Sequence, residues 1–318
     1  MKSDYPLIPV ILINYNNTLD TEECIESIYK SEGVQPFVIV VDNASKDRDA
    51  VLSLKEKFPQ VHLIINEENI GFGRANNIGI KWARENLNYD FLFILNNDTL
   101  LKPNTLRIMI LELKNNDNVS MVAPCIITNS KPTKIWYAGA KINWNKLTPQ
   151  IINWQKKIYN INNIQKENSF YVDFASGCAM LFRKEAIDIL GGFDEYFFMY
   201  DEDFDLCLTM KMKNMKILYV PSAILIHKVQ GSQTVSLNEF NQLSPKHPSM
   251  FFYLKNTIKN RKYILKKHFN LIPYSLLKTY YFFYSYWLKK AVQYFFYGKI
   301  KASYYIVYEI FFNKMDIN

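Results

Sequence analysis

The chain has 318 residues, 49% of them hydrophobic and 21% charged, which supplies a full core and excludes a chain that is disordered throughout. Its four cysteines are scattered without a C-x-x-C pair, so they exclude a disulfide framework and a cysteine zinc site. The formal net charge of +8 is concentrated in residues 250–318, where twelve Lys or Arg accompany two acids, and the preceding residues are nearly neutral.

The first residues, MKSDYPLIPVILINYNN, do not have the pattern of a secretory signal. Their apolar run is short, contains Pro6 and Pro9, and lacks a small-residue cleavage site. We therefore expect this run to be a buried first strand and the chemistry of the protein to be cytoplasmic.

Strands and helices alternate along the first part of the chain. Short apolar runs rich in β-branched residues predict four strands, and the segments between them predict three helices. The strands are at 10–14, 37–43, 61–66 and 91–98, and the helices are at 18–33, 47–58 and 73–87. This alternation predicts an α/β fold with a mostly parallel sheet, which binds its ligands at the carboxyl ends of the strands. The stretch 128–170 has weak periodicity and predicts irregular loops or short strands.

Polar residues follow each of the four predicted strands, at what would be one edge of the sheet. They are Asn14, Asp42, Asn43, Asn66, Asn96, Asn97 and Asp98. Asn and Asp are also ordinary turn residues after strands, and this alternative stays open for any single position. Their recurrence after all four strands favours a polar cleft along this edge.

The segment NIGFGRANNIGI, residues 69–80, has Gly71 and Gly73 between a predicted strand and a predicted helix. Asn76 replaces the third glycine of a dinucleotide-binding fingerprint, and the sequence has no GxxxxGK[ST] phosphate loop. Either the amides of this turn, with Arg74, face a diphosphate at the helix N-terminus, or the segment is a plain strand-to-helix turn.

Two residues have the chemistry of divalent-metal ligands. Asp98 ends the apolar strand FLFILNND, and His227 ends the run AILIH. Mg²⁺ and Mn²⁺ are commonly held by one or two carboxylates and by substrate phosphates, and Mn²⁺ also accepts an imidazole. A lone histidine is more often structural, so His227 gains weight as a ligand only in combination with Asp98.

Six carboxylates crowd into GGFDEYFFMYDEDFDLC, residues 191–207, beside several aromatic side chains. They are Asp194, Glu195, Asp201, Glu202, Asp203 and Asp205. Clustering and partial burial raise the pKa of a carboxyl group, which suits a proton acceptor in catalysis. The alternative is a solvated acidic surface that caps a helix.

Six motifs then occur in a fixed order along the chain. They are VILINYNN, VVDNASKD, NIGFGRANNIG, FILNNDTLLKP, ASGCAMLFRKEAIDILGGFDEYFFMYDEDFDLCL and ILYVPSAILIHKVQGS. The ordered set resembles the inverting family-2 glycosyltransferases of the GT-A fold, and most of all a rhamnosyltransferase-like bacterial branch. The resemblance covers residues 8 to 232 and implies a Rossmann-like sheet flanked by helices.

This resemblance implies roles for the polar edge. Asp42, with Asn14 alongside, would bind the base or ribose of a nucleotide-sugar donor. The other predicted donor-site residues are Asn43, Gly71, Arg74, Asn76, Asn96 and Asn97. The Asn-Asn-Asp sequence that ends at Asp98 stands where the family has its DxD-type metal motif, and His227 would complete the metal site. The metal would act as a Lewis acid on the departing nucleotide diphosphate.

The resemblance also assigns the acidic cluster. The sequence EDFD resembles the acidic motif of the family, whose second acid, Asp203, would take the proton of the acceptor hydroxyl as general base. Glu202 would orient that hydroxyl or tune the pKa of Asp203. An arginine often follows this motif, but the position is Thr209 here, so a lysine or Arg74 would replace it.

Residues 271–312 are aromatic and apolar but interrupted by lysines, and no run reaches the roughly 18 to 20 uncharged residues that span a bilayer. This mixture predicts helices that lie on an anionic membrane surface. The alternative is that they pack on the rest of the chain or form a homodimer. The sequence has no recognised nucleic-acid module, so we predict no nucleic-acid partner.

The resemblance implies a GT-A catalytic domain over residues 1–235, and the composition predicts a basic, aromatic helical extension over residues 236–318. The predicted enzyme moves a sugar from a dTDP-rhamnose or UDP-hexose type of donor to a lipid-linked or polysaccharide acceptor in surface-glycan synthesis. It would use Mn²⁺ or Mg²⁺ at the inner face of the cell membrane. The alternative is a catalytically inactive scaffold of the same fold that binds sugar nucleotides.

Overall fold

A computed structural model of the protein describes residues 5–158, 160–228, 243–247 and 249–313. Its strands are β1 (Leu7–Asn14), β2 (Gln35–Asp42), β3 (His62–Ile65), β4 (Phe91–Asn96), β5 (Thr99–Leu101), β6 (Val119–Thr128), β7 (Ile135–Tyr137), β8 (Ala140–Asn143), β9 (Thr148–Ile151), β10 (Phe170–Val172), β11 (Ala179–Arg183) and β12 (Lys216–His227). Its helices are α1 (Thr18–Tyr29), α2 (Arg48–Lys57), α3 (Phe72–Asn86), α4 (Thr105–Asn115), α5 (Ile161–Gln165), α6 (Lys184–Leu190), α7 (Glu202–Met212), α8 (Met250–Lys267), α9 (Leu276–Phe296) and α10 (Ile300–Phe311).

A ten-stranded sheet forms the centre of the fold. Its main path is β10-β12-β6-β11-β4-β1-β2-β3, while β5 pairs with β12 and β7 pairs with β6. Strand β1 lies between β2 and β4 and is parallel to both, and β3 continues this parallel half beyond β2. Strand β11 is antiparallel to its neighbours β4 and β6, and β12 is parallel to β6. The predicted α/β fold with a mostly parallel central sheet is therefore confirmed.

The fourth predicted strand, at 91–98, is too long by two residues. Strand β4 ends at Asn96, and the Thr99 hydroxyl donates to the Asn96 carbonyl at 2.7 Å, which closes a tight turn. The chain then returns as β5, antiparallel to β12, so that Thr99 pairs with His227. This turn brings Asp98 next to a histidine that is far away in the sequence.

Two other segments refine the predicted elements. The helix predicted at 18–33 ends at Tyr29. The stretch 128–170 contains short strands, which was one of its two predicted alternatives.

The chain divides into two compact units. The first comprises Met1–Lys141, Gln150–Phe198 and Glu202–Gln233, and the second comprises Ile142–Pro149, Met199–Asp201 and Thr234–Asn318. In the second unit α9 and α10 form a hairpin in which the rings of Tyr284 and Phe311 stack with centroids 5.4 Å apart. Within the described ranges, no helix has both the length and the hydropathy required to cross a membrane.

Candidate active site

Three neighbouring parallel strands end at the same edge of the sheet. Asn14 at the end of β1 pairs with Asp42 at the end of β2, and Ile13 pairs with Asn96 at the end of β4. The cores of these strands are buried, so their first polar residues gather at this carboxyl edge, where parallel sheets bind ligands.

Asn14 and Asp42 are fully buried and bonded to each other. Asn14 Nδ2 donates to Asp42 Oδ1 at 2.7 Å and to Ser45 Oγ at 3.1 Å. The Ser45 hydroxyl donates to Asp42 Oδ1 at 2.5 Å, and the Ser45 amide donates to Asp42 Oδ2 at 3.0 Å. Both carboxylate oxygens therefore have donors, which offsets the cost of burying this group. Neither side chain is exposed in this structure. Their predicted direct contact with the nucleotide sugar therefore stays a prediction.

Ser45 and Thr21 belong to the same network, although the sequence did not single them out as site residues. Thr21 Oγ1 donates to Asn14 Oδ1 at 2.8 Å, and Asn97 Nδ2 donates to Thr21 Oγ1 at 2.8 Å. Thr21 thus connects the end of β1 to the turn after β4. The only local signal is at Ser45, since an Asp often bonds the backbone of a residue just after it in a turn.

Asn43 organises the loop after β3 through all parts of its amide. Its Nδ2 donates to Asn69 Oδ1 at 2.8 Å and to the Gly71 carbonyl at 3.3 Å. Its Oδ1 accepts from Asn66 Nδ2 and from the Ile70 amide, both at 3.1 Å. These four bonds use the amide of Asn43 to hold the loop, and its predicted contact with the nucleotide sugar stays a prediction.

The glycine turn before α3 packs against the segment that leads to the acidic cluster. Gly71 has a φ of +90°, and a Cβ there would lie 2.1 Å from the Phe198 carbonyl oxygen, so no other residue fits. The Phe72 amide donates to that carbonyl at 3.1 Å, and the Gly71 amide donates to Asn69 Oδ1 at 3.0 Å. In this structure the amides of Ile70, Gly71 and Phe72 are therefore already bonded within the protein, and binding of a diphosphate at this turn stays a prediction.

Helix α3 continues this contact along one face. Arg74 Nε donates to the Glu195 carbonyl at 2.8 Å, and Asn77 bonds both the amide and the carbonyl of Phe193, at 2.8 and 2.9 Å. Asn76 is buried, and its Nδ2 donates to the Phe72 carbonyl at 3.0 Å. Roles of Arg74 and Asn76 in donor binding stay predictions.

Asp98 and His227 meet as the two predicted metal ligands. His227 Nε2 lies 3.0 Å from Asp98 Oδ2, and the edge of the Trp136 ring packs on the imidazole with centroids 4.6 Å apart. Burial alone would raise the pKa of the Asp98 carboxyl, but the adjacent His227, with a smaller contribution from Lys228, holds that pKa below its ordinary value. Asp98 is therefore a carboxylate at neutral pH, as a metal ligand must be.

Asp203 lies in the first turn of α7 and is partly exposed. Its Oδ2 accepts from the Gly177 amide at 2.9 Å, and its Oδ1 accepts from the Phe204 amide at 2.8 Å. A Cβ on Gly177 would come within 3.3 Å of the Asp203 Cβ, so glycine permits this close approach. Glu202 and Asp205 are buried, which leaves Asp203 as the acid of EDFD with access to solvent.

A short path of backbone bonds connects Asp203 to the end of β4. The Asn96 amide donates to the Cys178 carbonyl at 2.9 Å, and the next residue back, Gly177, donates to Asp203. Burial, with the negative charges of Asp98 and Asp203 adding to it, raises the pKa of the Cys178 thiol well above its ordinary value. Asp98, one of the two predicted metal ligands, and Asp203, the candidate base, therefore both lie near this buried thiol.

Comparison with known families identifies the class of protein. Residues 10–190 match the family described as Glycosyl transferase family 2, which is more than half of the chain. The chain belongs to glycosyltransferase family 2, and it is a glycosyltransferase. The matched range ends before α7, so the roles of Glu202 and Asp203 are outside it.

Curated relatives are similar over most of the chain. The low-salt glycan biosynthesis hexosyltransferase Agl10 of Haloferax volcanii is 25% identical over 71% of this chain and 69% of its own length. The rhamnosyltransferase WbbL of Escherichia coli is 25% identical over 61% of this chain and 74% of its own. The N-acetylglucosaminyl-diphospho-decaprenol L-rhamnosyltransferase of Mycobacterium tuberculosis is 23% identical over 78% of this chain and 84% of its own.

Solved structures confirm the GT-A fold. The crystal structure of GalNAc-T7 with UDP, GalNAc and Mn²⁺ superposes with a TM-score of 0.58 at 16% identity, over 83% of this chain and 48% of that one. Staphylococcus aureus TarS 1-349 superposes with a TM-score of 0.52 at 14% identity, over 81% of this chain and 65% of that one. This chain thus spans about half the length of the GalNAc-T7 structure and about two thirds of the TarS structure.

We predict that Ser45→Ala lowers the free energy of unfolding by about 1–3 kcal/mol, because the buried Asp42 carboxylate and the Asn14 amide each lose a partner. Ser53→Ala is the matched control, since that hydroxyl donates only within α2, to the Ala50 carbonyl at 2.8 Å. The control should change the free energy by no more than about 0.5 kcal/mol. Urea unfolding followed by circular dichroism measures both, and equal losses would contradict the importance of the buried network.

Proposed function

We propose that this protein transfers a sugar, with inversion at the anomeric carbon, from a nucleotide diphosphate to a hydroxyl of a lipid-linked or polysaccharide acceptor. The observation that carries the proposal is the bonded path from Asn96 through Cys178 and Gly177 to Asp203. Through it, a partly exposed carboxylate lies at the sheet edge that also holds the Asn14–Asp42 pair.

The reaction needs one proton acceptor and one departing anion. Asp203 takes the proton of the acceptor hydroxyl while the hydroxyl oxygen forms a bond to the anomeric carbon. The bond from that carbon to the diphosphate oxygen breaks, and its electron pair leaves with the nucleoside diphosphate. The amides of Gly177 and Phe204 hold the two oxygens of Asp203 and so orient the carboxylate for this transfer. Glu202 is buried beside Asp203 and would orient the acceptor hydroxyl or tune the pKa of Asp203.

The donor would be of the dTDP-rhamnose or UDP-hexose type, and the names of the relatives support rhamnose or another hexose as its sugar. Two of them are named rhamnosyltransferases and one is named a hexosyltransferase. The name of the mycobacterial relative specifies a diphospho-decaprenol carrier, which supports a lipid-linked acceptor in glycan synthesis.

A divalent metal fits the Asp98–His227 pair. His227 Nε2 and Asp98 Oδ2 lie 3.0 Å apart, and a carboxylate and an imidazole are together a ligand set that suits Mn²⁺. The described residues contain no cluster of three or more His, Cys, Asp or Glu that could hold a metal, so phosphate oxygens of the donor would supply further ligands. Bound there, Mn²⁺ or Mg²⁺ would neutralise charge on the departing diphosphate.

We expect one nucleotide sugar to bind in calorimetry with Mn²⁺ or Mg²⁺ and to bind at least about tenfold more weakly with chelator, because Asp98, His227 and the donor phosphates would hold the metal together. Asp98→Asn should abolish this metal dependence. Asp90→Asn is the control, since that exposed residue precedes the same strand. Absence of binding for dTDP-rhamnose and for every UDP-hexose, under all three conditions, would refute the donor proposal.

We expect Asp203→Asn to lower kcat by about 10²- to 10⁴-fold, the usual contribution of a general base, with the donor dissociation constant unchanged. Glu195→Gln removes a carboxylate from the same cluster and should retain activity, because α3 bonds only its backbone carbonyl. Sugar transfer to a lipid-linked acceptor, followed by product chromatography, measures both variants. Full activity in Asp203→Asn would remove this residue from the mechanism, whereas donor binding without transfer in the parent enzyme would favour the scaffold alternative.

The last two helices have an apolar face that is exposed in the part of the chain that the structure describes. Helix α9 buries Phe283, Trp287 and Tyr294 on one side, and on another side Leu277 and Phe296 are 84% and 80% exposed. The exposed apolar set of these helices includes Leu277, Tyr281, Leu288, Val292, Phe295, Phe296, Ile300, Tyr304 and Phe311. Exposed lysines alternate with this set, which favours an anionic membrane surface over a neutral protein partner.

We expect the triple variant Leu277→Ser, Val292→Ser and Phe296→Ser to bind phosphatidylglycerol–phosphatidylcholine vesicles at least about tenfold more weakly than the parent, because each lost side chain contributes apolar burial. The control carries Leu19→Ser, Leu52→Ser and Leu111→Ser, which are exposed leucines of α1, α2 and α4. Vesicle sedimentation measures binding, which should weaken as salt rises. Unchanged binding of the first variant would refute the membrane proposal.

A further inference from the structure

The two residues before α7 have an unusual backbone. Tyr200 and Asp201 have φ values of +68° and +65°, so two consecutive residues that are not glycine lie in the left-handed region. Such a conformation persists only where surrounding contacts hold it, and it is frequent next to functional sites. Glu202 follows directly as the first residue of α7, and Asp203 is the second.

Helix α8 supplies the contacts that hold this conformation. Asn260 Nδ2 donates to the Met199 carbonyl at 3.1 Å and to the Tyr200 carbonyl at 2.7 Å. Arg261 is bidentate on Asp201, with Nε 3.0 Å from Oδ2 and a second nitrogen 2.5 Å from Oδ1. The Tyr200 ring packs on Tyr253, which lies nearer the N-terminus of α8, with ring centroids 4.8 Å apart.

Burying the Arg261–Asp201 ion pair costs desolvation free energy, so packing alone does not explain it. Both side chains are nearly buried, at 8% and 9% exposure, and a buried ion pair is often replaceable by apolar residues without loss of stability. Such a pair fixes the orientation of its partner, because a bidentate guanidinium sets both the distance and the plane of the carboxylate. Here it fixes Asp201, the residue directly before the first residue of α7.

We propose that Arg261 is a positioning residue for sugar transfer. By holding Asp201 in its left-handed conformation, it sets where α7 starts and so keeps the Asp203 carboxylate on the Gly177 amide. This inference rests on the proposed role of Asp203 as general base. It assigns to the C-terminal helical region a function in the chemistry that is separate from any binding to a membrane.

The test compares two neighbouring buried cations of α8. Arg261→Met removes the contact to Asp201, whereas Lys262→Met removes contacts to the carbonyls of Glu309 and Asn313, at 2.8 and 2.7 Å. We expect Arg261→Met to lower kcat at least about tenfold with the donor KM within about twofold, since small misplacements of a reacting group cost rate rather than ground-state binding. Lys262→Met should leave kcat within about twofold of the parent. Arg261→Lys, which restores one donor, should recover part of the lost rate.

Hydrogen exchange gives a readout that does not depend on activity. In Arg261→Met, amides in peptides that cover residues 175–178 and 202–206 should exchange at least about tenfold faster, because the Gly177 bond to Asp203 opens more often. Lys262→Met should leave those peptides unchanged. Asp201→Asn, a milder change of nearly the same shape, should give the same pattern at smaller amplitude if Arg261→Met proves too unstable to purify.

Equal kcat and equal exchange in the Arg261 and Lys262 variants would overturn the inference and reduce the ion pair to a stabilising contact. Failure of the proposed function is a different result. If the parent transfers no sugar from any donor, the kinetic comparison ends, but the exchange comparison still decides whether Arg261 holds Asp203 in place.

Discussion

The in-register pairing of β1 with β2 is the constraint on which the candidate site depends. It ends with Asn14 opposite Asp42, and the two buried side chains bond at 2.7 Å. A slip of one residue would turn these side chains to opposite faces of the sheet and leave a buried carboxylate without its partners. Since Asn14 also binds Thr21, which in turn binds Asn97, the same pairing fixes the turn that presents Asp98. The polar edge is thus a consequence of strand register.

The sequence predicted most of the parallel half of the sheet because its signals are local. Apolar β-branched runs and helical segments repeat in order, and polar residues mark the strand ends. It could not predict what those polar residues bond. Asp42 and Asn43 are adjacent and chemically similar, yet Asp42 bonds Asn14 across the sheet and Asn43 bonds Asn66 and Asn69 in a loop. Such partners are separated by more than twenty positions in the chain, so only register and loop path determine them.

The crowded acids between Gly191 and Cys207 are the clearest case of this limit. In the sequence they form one cluster, and like charges at such density repel. In the structure they have separate environments. Asp194 accepts from the Tyr196 amide at 2.9 Å, Asp201 is paired with Arg261, Asp203 accepts from Gly177, and Glu202 and Asp205 are buried. The motif resemblance singled out Asp203 as general base, which stays a prediction. Its solvent access, its bond from Gly177 and the contact of Arg261 with Asp201, sixty positions away, could be found only from the fold.

Charge balance gives an independent reason to expect a divalent ion. A nucleotide diphosphate is an anion, and the edge that would receive it carries the carboxylates of Asp98 and Asp203. Lys228, beside Asp98 in the fold, is already engaged by Asp20 at 2.7 Å and by Glu23, so its charge is neutralised. Lys211, which follows the position of the missing arginine, is likewise paired with Asp173 at 2.9 Å. These two lysines cannot offset the repulsion between the diphosphate and the two carboxylates. A metal held by Asp98 and His227, as proposed above, would supply the positive charge where the diphosphate departs.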